Sequence, residues 1–356
     1  MNDVYLAGRG LASALGGNLP QAMLALRSGG VAPSAFEVAP GQFTPYFGMP
    51  PSTEDWATRA RRLVTDAVAE SGGHAARDGA LLIASTSFDM GIREHGDAFE
   101  LDIATFSEQV GEWPGWRGPI FTVCTACTSS LNAMLSAAAL IRAGDVNDAL
   151  VLGIELANRF TVGGFQSMQL LSSGSPQPLG AARRGLVLGE AVAALHLSSH
   201  PARWRILGGA NVVDSSDPAG AVADAVAAMC QQALARSGLR AEQIDLVKLQ
   251  AAGSGNNDAT ELAGLVQVFE PLPPVVSLKA LLGHTLGAAG AAEVALLTAC
   301  IEANLWPMPG YALDPGLNAT WARHAPPRLR HVLACILGFG GGHAAVVLED
   351  TAADLT

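Results

Sequence analysis

The stretch FTVCTACTSSL, from Phe121 to Leu131, joins the end of a predicted strand to the start of a predicted helix. Phe121 to Cys124 are aromatic, β-branched or thiol-bearing residues, which is typical of a short buried strand. From Leu131 onward, apolar residues recur at helical spacing as far as Gly144, and this predicts a helix that ends at a glycine. Cys127 is therefore predicted to lie at the corner between strand and helix.

A cysteine at a helix start is a candidate nucleophile, because the free N–H groups there favour the thiolate and should let the thiol ionise more easily. The commoner alternative for a lone cysteine is a buried structural side chain. Cys124 and Cys127 also form a C-x-x-C pair, which can serve redox or metal chemistry. The sequence has no second such pair for zinc, and Cys124 falls within the strand, so we predict no metal site.

The composition is typical of a well-buried globular protein. Of the 356 residues, 49% are hydrophobic and 15% are charged, and 40 are glycines. The net charge of −11 argues against nucleic acid as a partner. We find no secretory signal and no apolar run long enough for a membrane span, and the five cysteines have no regular spacing. We therefore expect a cytoplasmic protein with reduced thiols and no membrane partner.

Strand-like and helical segments alternate along the chain, which predicts an α/β fold. The predicted strands include residues 79–85, 148–154, 204–213, 274–278 and 331–337, and the predicted helices include residues 55–70, 99–110, 221–237 and 258–268. The segment 29–53 is rich in proline and glycine and is predicted to be a loop. Because the order of elements repeats, we predict two related halves, residues 1–200 and 201–356.

This duplication has a chemical consequence. In the first half a strand leads to Cys127, and in the second half a strand leads through Lys279 to His284 at the start of a long helix. If a pseudo-twofold axis relates the halves, the two helix starts face each other. The thiol and the imidazole would then meet, which is the pairing that covalent thiol catalysis needs.

Several motifs resemble those of the β-ketoacyl synthases, the condensing enzymes of fatty-acid and polyketide synthesis. TACTS at Thr125–Ser129 resembles their nucleophile motif, and KALLGHTLGAAG at Lys279–Gly290 resembles their lysine and second-histidine motif. GFGGG at Gly338–Gly342 resembles their C-terminal glycine-rich turn, and GLVLGE at Gly185–Glu190 is similar to another signature. The resemblance implies the thiolase fold, five α-β-α-β-α layers made of two duplicated halves, and a dimer.

The resemblance also implies roles for individual residues. Cys127 would accept an acyl group from an acyl carrier protein as a thioester, and His284 would donate a hydrogen bond to a malonyl thioester oxygen. Lys279 and Glu261 would form a buried or half-buried ion pair, which is as consistent with a structural role as with a catalytic one. In the glycine-rich turn, Phe339 beside Gly340 would gate the pocket, with simple core packing as the alternative.

The sequence departs from the family pattern at one position. The family carries a first catalytic histidine, in His-Gly-Thr-Gly-Thr, ahead of Asp-x-x-Glu, whereas this chain reads LQAAGSGNNDATE at residues 249–261. Counting back from Asp258 without a gap puts Gln250 at the histidine position, and matching the glycines instead puts Ala252 there. In either alignment the histidine is missing. We therefore expect acyl transfer to survive better than decarboxylation.

The implied partners follow from the resemblance. Substrates would arrive on the phosphopantetheine arm of an acyl carrier protein, with no cofactor of the chain's own. Arg59, Arg61 and Arg62 share one predicted helix and would dock the acidic carrier protein, unless they are simply a solvated face.

Two functions remain open on the sequence. The chain is either a degenerate, chain-length-factor-like subunit in a heterodimer with a sister ketosynthase, or a self-sufficient condensing or acyl-transferring enzyme in a homodimer. A degradative thiolase would need a second reactive cysteine, and Cys335 lacks the required setting. A purely structural binding protein is disfavoured because so much site chemistry is retained.

Overall fold

A computed structural model describes residues 2–94, 102–214, 216 and 220–355. The elements of the first half are β1 Tyr5–Ser13, α1 Leu19–Arg27, β2 Ser34–Ala39, β3 Gln42–Phe47, α2 Trp56–Glu70, β4 Ala80–Ala84, α3 Met90–Arg93, α4 Ile103–Glu112, β5 Ile120–Val123, α5 Ser129–Ala143, β6 Asp148–Glu155, α6 Arg159–Ser167, β7 Leu188–Gly189 and β8 Ala191–Ser198. Those of the second half are β9 Trp204–Val213, α7 Ala223–Ser237, β10 Leu246–Lys248, α8 Asn257–Leu265, β11 Val275–Val276, α9 Lys279–Leu282, α10 Ala289–Glu302, β12 His331–Leu337 and β13 Gly342–Asp350.

The strand order repeats between the two halves. The large sheet runs β11-β10-β12-β13-β9-β1-β8-β6-β4-β5, and the halves join where β1 and β9 pair antiparallel. In the first half β5, β4 and β6 are parallel, and β8 and β1 continue antiparallel. In the second half β11, β10 and β12 are parallel, and β13 and β9 continue antiparallel. This equivalence confirms the predicted duplication, while the boundary at residue 200 stays a prediction.

The helices form three layers around the two halves of the sheet. Helices α5 and α10 contact each other and lie between the halves: α5 packs on β4 and β6 and also on β9 and β13, and α10 packs on β1, β6 and β8 and also on β12. On the outer faces, α2 covers β1 and β8, and α7 covers β9 and β13. The predicted α-β-α-β-α layering is therefore confirmed. Within the described residues, no helix is both long enough and apolar enough to cross a bilayer.

The two central helices approach each other closely at Gly290. A Cβ atom there would lie 2.7 Å from the Leu131 Cγ and 2.9 Å from the Ser130 Oγ. The Ser130 hydroxyl oxygen also accepts a hydrogen bond from the Ala291 N–H at 3.0 Å. Because a side chain does not fit at this contact, glycine fixes how near the start of α10 lies to the start of α5.

Two sequence predictions need correction. The segment 29–53 is not simply a loop, because it contains the β2–β3 hairpin, and β3 also pairs with β7. Gly41 lies in the tight turn between the two strands and takes a φ of +73°. The glycine therefore indicates a hairpin turn here and not a long loop. The helix predicted at residues 99–110 begins at Ile103, where Asp102 caps α4, and Phe99 lies outside the described residues.

Replacing Gly290 with alanine is expected to lower the free energy of unfolding by roughly 1–3 kcal/mol, because the added methyl group overpacks the α5–α10 contact. The matched control is Gly164→Ala in helix α6, where a Cβ atom meets nothing within 4 Å. There alanine is expected to be neutral or to stabilise by up to about 1 kcal/mol through its helix propensity. Urea unfolding of both variants measures the difference. Equal stabilities would contradict the close helix crossing.

Candidate active site

Cys127 lies buried in the turn between β5 and α5. The Ser129 hydroxyl fixes this turn, since its oxygen accepts a hydrogen bond from the Thr125 N–H at 2.9 Å and its proton is donated to the Ala126 carbonyl at 2.6 Å. Ala126 takes a φ of +52°, a left-handed conformation that is uncommon for a residue with a side chain. The turn is therefore held in a strained shape that sets the position of the next residue, Cys127.

His284 lies at the equivalent corner of the second half, between α9 and the turn that leads into α10. Its N–H donates to the Val187 carbonyl at 2.8 Å, and its carbonyl accepts from the Gly189 N–H at 3.1 Å. The imidazole is buried, and its Nε2 lies 3.1 Å from the Cys127 Sγ. The two corners meet as the duplication predicts, although the catalytic roles stay predictions.

Burial controls the charge of this pair. It raises the pKa of the Cys127 thiol to about 11, which outweighs the opposite effects of Lys279 and of the Phe339 backbone N–H. The expectation that the helix start makes this thiol easier to ionise is therefore wrong. Burial also lowers the pKa of His284 well below its usual value, with Lys279 and Lys248 adding to the effect. At neutral pH the resting pair is a neutral thiol beside a neutral imidazole.

Cys127 and His284 open into one pocket that also includes Gln250, Ala252 and Glu261. Both alternatives for the missing histidine thus line the same cavity, and His284 is the one histidine among the described residues that line it. The Gln250 side chain is buried, and its Oε1 has no hydrogen-bond partner among the described residues. An amide at this position can donate or accept a hydrogen bond, but it cannot act as an acid or a base near neutral pH.

The predicted Lys279–Glu261 ion pair is wrong. The Lys279 Nζ binds the Glu293 Oε1, and the Lys248 Nζ binds the other oxygen of the same carboxylate. The Glu261 carboxylate instead accepts two backbone N–H groups, at Gln250 (2.7 Å) and at the next residue (2.8 Å). Burial raises the pKa of Glu261 to about 7. The sequence signal that was missed is Glu293 itself, because a charge in the middle of a long apolar helix needs a buried partner.

The glycine-rich turn after β12 brings Phe339 to the pocket. Its ring centroid lies 5.4 Å from that of Phe165 on α6, and both rings line the cavity that contains Cys127. Gly340 has a φ of +79° with open space beside it. Two backbone N–H groups, those of Phe339 and Cys127, act on the cysteine sulfur. The gate stays a prediction, and this pair of N–H groups is a candidate oxyanion hole.

The predicted carrier-docking arginines have different environments. Arg59 is largely buried and makes two hydrogen bonds to Glu190, at 2.7 and 3.0 Å, so the prediction that it docks a partner is wrong. A buried carboxylate such as Glu190 needs a positively charged partner, and Arg59 is that partner. The sequence signal for this pair was Glu190, in the Gly189-Glu190 motif. Arg62 is exposed and pairs with Glu54, and Arg61 is exposed. Any docking role is left to Arg61 and Arg62.

The chain matches two family models. The beta-ketoacyl synthase N-terminal domain matches residues 65–202, and the beta-ketoacyl synthase C-terminal domain matches residues 208–309. Among curated relatives, the chain is 31% identical over 270 residues to the spectinabilin polyketide synthase system protein NorC of Streptomyces orinoci, covering 66% of this chain and 12% of that protein. It is 29% identical over 271 residues to the chloroplastic 3-oxoacyl-[acyl-carrier-protein] synthase II of Arabidopsis thaliana, covering 65% of this chain and 48% of that protein. The chain thus spans half or less of the length of these two relatives.

Solved structures share the whole fold. A ketosynthase, ApeO, in complex with its chain length factor, ApeC, from Xenorhabdus doucetiae superposes with a TM-score of 0.86 at 24% identity over 98% of each chain. A beta-ketoacyl synthase from Burkholderia phymatum STM815 superposes with a TM-score of 0.83 at 22% identity over 99% of this chain and 100% of that one. At such identities the likeness confirms the thiolase fold and nothing finer. Because the two family models together match more than half of the residues, the chain belongs to the beta-ketoacyl synthase family.

Proposed function

We propose that this chain accepts an acyl group on Cys127, as a thioester, from the phosphopantetheine arm of an acyl carrier protein. The acyl group then serves fatty-acid or polyketide synthesis in a two-chain ketosynthase, in which this chain is the degenerate, chain-length-factor-like subunit. The observation that carries the proposal is the 3.1 Å contact between the Cys127 Sγ and the His284 Nε2. A buried thiol beside an imidazole is the arrangement that nucleophilic thiol chemistry needs.

Acyl loading uses groups that this chain retains. As the Cys127 sulfur attacks the thioester carbon, the neutral His284 imidazole accepts the thiol proton at Nε2. The carbonyl oxygen gains negative charge, which the backbone N–H groups of Cys127 and Phe339 stabilise. The bond to the carrier sulfur then breaks, and the carrier thiolate takes the proton from His284. The chain is left with an acyl thioester on Cys127.

Decarboxylation of a malonyl unit needs more than this chain supplies. The enolate that forms requires hydrogen-bond donors at its oxygen, and removal of one such donor typically costs about 10²–10³ in rate. His284 is one donor, and the other position holds Gln250 or Ala252, neither of which is an imidazole. This loss supports a division of labour, in which a sister chain with both histidines carries out condensation.

The alternative is a self-sufficient condensing or acyl-transferring enzyme with an altered site. The observation that favours it is the placement of the Gln250 amide in the pocket with Cys127 and His284, because the amide N–H can replace one donor. Retention of Cys127 favours it as well, since chain-length-factor subunits usually lose that cysteine.

A sheet edge that none of the described strands covers supports pairing with a second chain. Strand β5 ends the large sheet and pairs with β4 on one side, and Phe121 on β5 is 44% exposed. An exposed edge with an apolar side chain is a template for association with another strand. The solved ketosynthase ApeO is bound to a chain length factor, which makes a sister subunit the favoured occupant and a second copy of this chain the other.

Incubation with an acyl carrier protein or a short acyl thioester is expected to add one acyl group to Cys127, detected by mass spectrometry of the intact protein and of its peptides. Cys127→Ala is expected to lose the adduct completely, because Cys127 is the one thiol among the described residues that line the pocket. The matched control is Cys124→Ala, which removes the exposed thiol three residues earlier and should keep the adduct. An adduct that persists in Cys127→Ala would exclude the proposed nucleophile, and no adduct on the unmodified chain would favour a structural role.

Gln250→His is expected to increase the rate of malonyl decarboxylation by at least about tenfold, because it restores an imidazole donor at the enolate oxygen. Gln250→Leu, which removes both hydrogen-bonding atoms, is expected to leave acyl loading of Cys127 nearly unchanged. Release of CO₂ from malonyl carrier protein is the measurement. If the unmodified chain alone condenses acyl and malonyl units at the rate of the Gln250→His variant, the self-sufficient enzyme is correct and the partner-dependent one is not.

Phe121→Lys is expected to convert a dimeric species to monomer, because it places a charge on the free sheet edge. Phe43→Lys is the control, since Phe43 is 60% exposed on the separate β2–β3 hairpin. Light scattering of the chain, alone and mixed with a ketosynthase that carries both catalytic histidines, gives the assembly state. A Phe121→Lys protein that still forms the same assembly would rule out the β5 edge as the interface.

A further inference from the structure

A chain of hydrogen bonds links the turn that holds Cys127 to the second half of the molecule. The Asn132 side chain, in the first turn of α5, donates from Nδ2 to the Thr125 Oγ1 at 2.8 Å and to the Thr128 Oγ1 at 3.1 Å. Its Oδ1 accepts from the Asn211 Nδ2 on β9 at 2.7 Å. Asn132 is buried. One buried side chain thus joins both sides of the cysteine turn to a strand of the other half.

The threonines fix the orientation of this amide. The Thr128 hydroxyl has one proton, which it donates to the Thr125 carbonyl at 2.6 Å. Its oxygen is therefore left to accept from Asn132, so the amide NH₂ group faces the threonines and the amide oxygen faces Asn211. Both ends of the amide are needed for the link, and a leucine of the same shape would make none of these hydrogen bonds.

Thr128 also lies against the glycine-rich turn. A Cβ atom at Gly338 would be 3.3 Å from the Thr128 Cγ2 and 3.4 Å from the Cys127 backbone nitrogen. The cysteine turn and the glycine-rich turn therefore lie side by side. They carry the backbone N–H groups of Cys127 and Phe339, which are the candidate oxyanion hole.

Asn211 reaches the glycine-rich turn from the other side. It pairs across the sheet with Ala344 on β13, two residues after that turn ends at Gly342. Asn132 therefore holds the cysteine turn through the threonines and, through Asn211, the strand beside β13. Ala126 has a φ of +52°, and a strained shape of this kind persists only where the surrounding structure holds it. The hydrogen bonds of Asn132 contribute that hold.

We infer that Asn132 is a positioning residue of the candidate oxyanion hole: it sets the distance between the N–H groups of Cys127 and Phe339. The inference rests on the proposed acyl transfer, in which both groups donate to the carbonyl oxygen as it gains negative charge. Such donors have to be held within about 0.5 Å of the productive geometry. Asn132 acts on the reaction through the two turns and not by contact with the acyl group.

The direct test compares two reactions of the same thiol. Acylation of Cys127 by the acetyl thioester of N-acetylcysteamine passes through an oxyanion, whereas alkylation by iodoacetamide displaces iodide from a saturated carbon and forms no oxyanion. In Asn132→Leu, the acylation rate is expected to fall by about tenfold to a hundredfold while the alkylation rate stays within about twofold. Mass spectrometry of the Cys127 peptide follows both reactions.

A second variant and a matched control accompany this test. Asn211→Ala breaks one link of the chain at an exposed position, so it remains informative if Asn132→Leu fails to fold. It is expected to lower the acylation rate by less, with alkylation again unchanged. The control is Thr298→Val, which removes a buried hydroxyl from α10, where it bonds carbonyls of its own helix. This variant is expected to change neither rate.

The outcomes separate this inference from the proposed function. A parallel fall of both rates in Asn132→Leu, or an acylation rate equal to that of the unmodified chain, would overturn the positioning role even if Cys127 is acylated normally.

If the unmodified chain is never acylated, the proposed function fails, and crystal structures of the unmodified chain and of Asn132→Leu decide the inference. The distance between the backbone nitrogens of Cys127 and Phe339 is expected to differ by about 0.5 Å or more between them. An equal distance in both would overturn the role of Asn132.

Discussion

The contact between the Cys127 sulfur and the His284 imidazole depends on how two helices cross at the centre of the molecule. Helices α5 and α10 occupy equivalent places in the two halves. Helix α5 follows β5 through a turn, and α10 follows β11 through the short helix α9 and a turn. At Gly290 the helices come too close for a side chain, which brings the two turns together. The thiol and the imidazole meet because the fold is duplicated, and neither half contains the pair alone.

Burial gives this pair its chemical character. Burial disfavours the charged form of both side chains, so it raises the pKa of the Cys127 thiol and lowers the pKa of the His284 imidazole. Lys279 acts on both groups: it lowers the pKa of Cys127 against the larger effect of burial, and it adds to burial in lowering the pKa of His284. In the function that we propose, Gln250 or Ala252 in place of a histidine leaves acyl loading intact and weakens the enolate-forming step.

The sequence predicted what depends on local pattern and on repetition. The order of strands and helices, the two halves and the meeting of Cys127 with His284 follow from hydrophobic periodicity and from two similar strand-turn-helix corners. The sequence did not predict the partner of Lys279. Glu293 lies fourteen residues further along the chain, and only the packing of helix α10 turns its side chain toward Lys279. Arg59 was misjudged for the same reason, since the buried Glu190 that binds it lies 131 residues further along the chain.

A crystal structure of the protein after treatment with a short acyl thioester tests the central claim most directly. The account predicts continuous electron density from the Cys127 sulfur into an acyl group. Its carbonyl oxygen should lie within hydrogen-bond distance of the Phe339 N–H, with the His284 imidazole next to the sulfur. Density for the acyl group on the exposed Cys124, or an unmodified Cys127 sealed from the pocket, would contradict it.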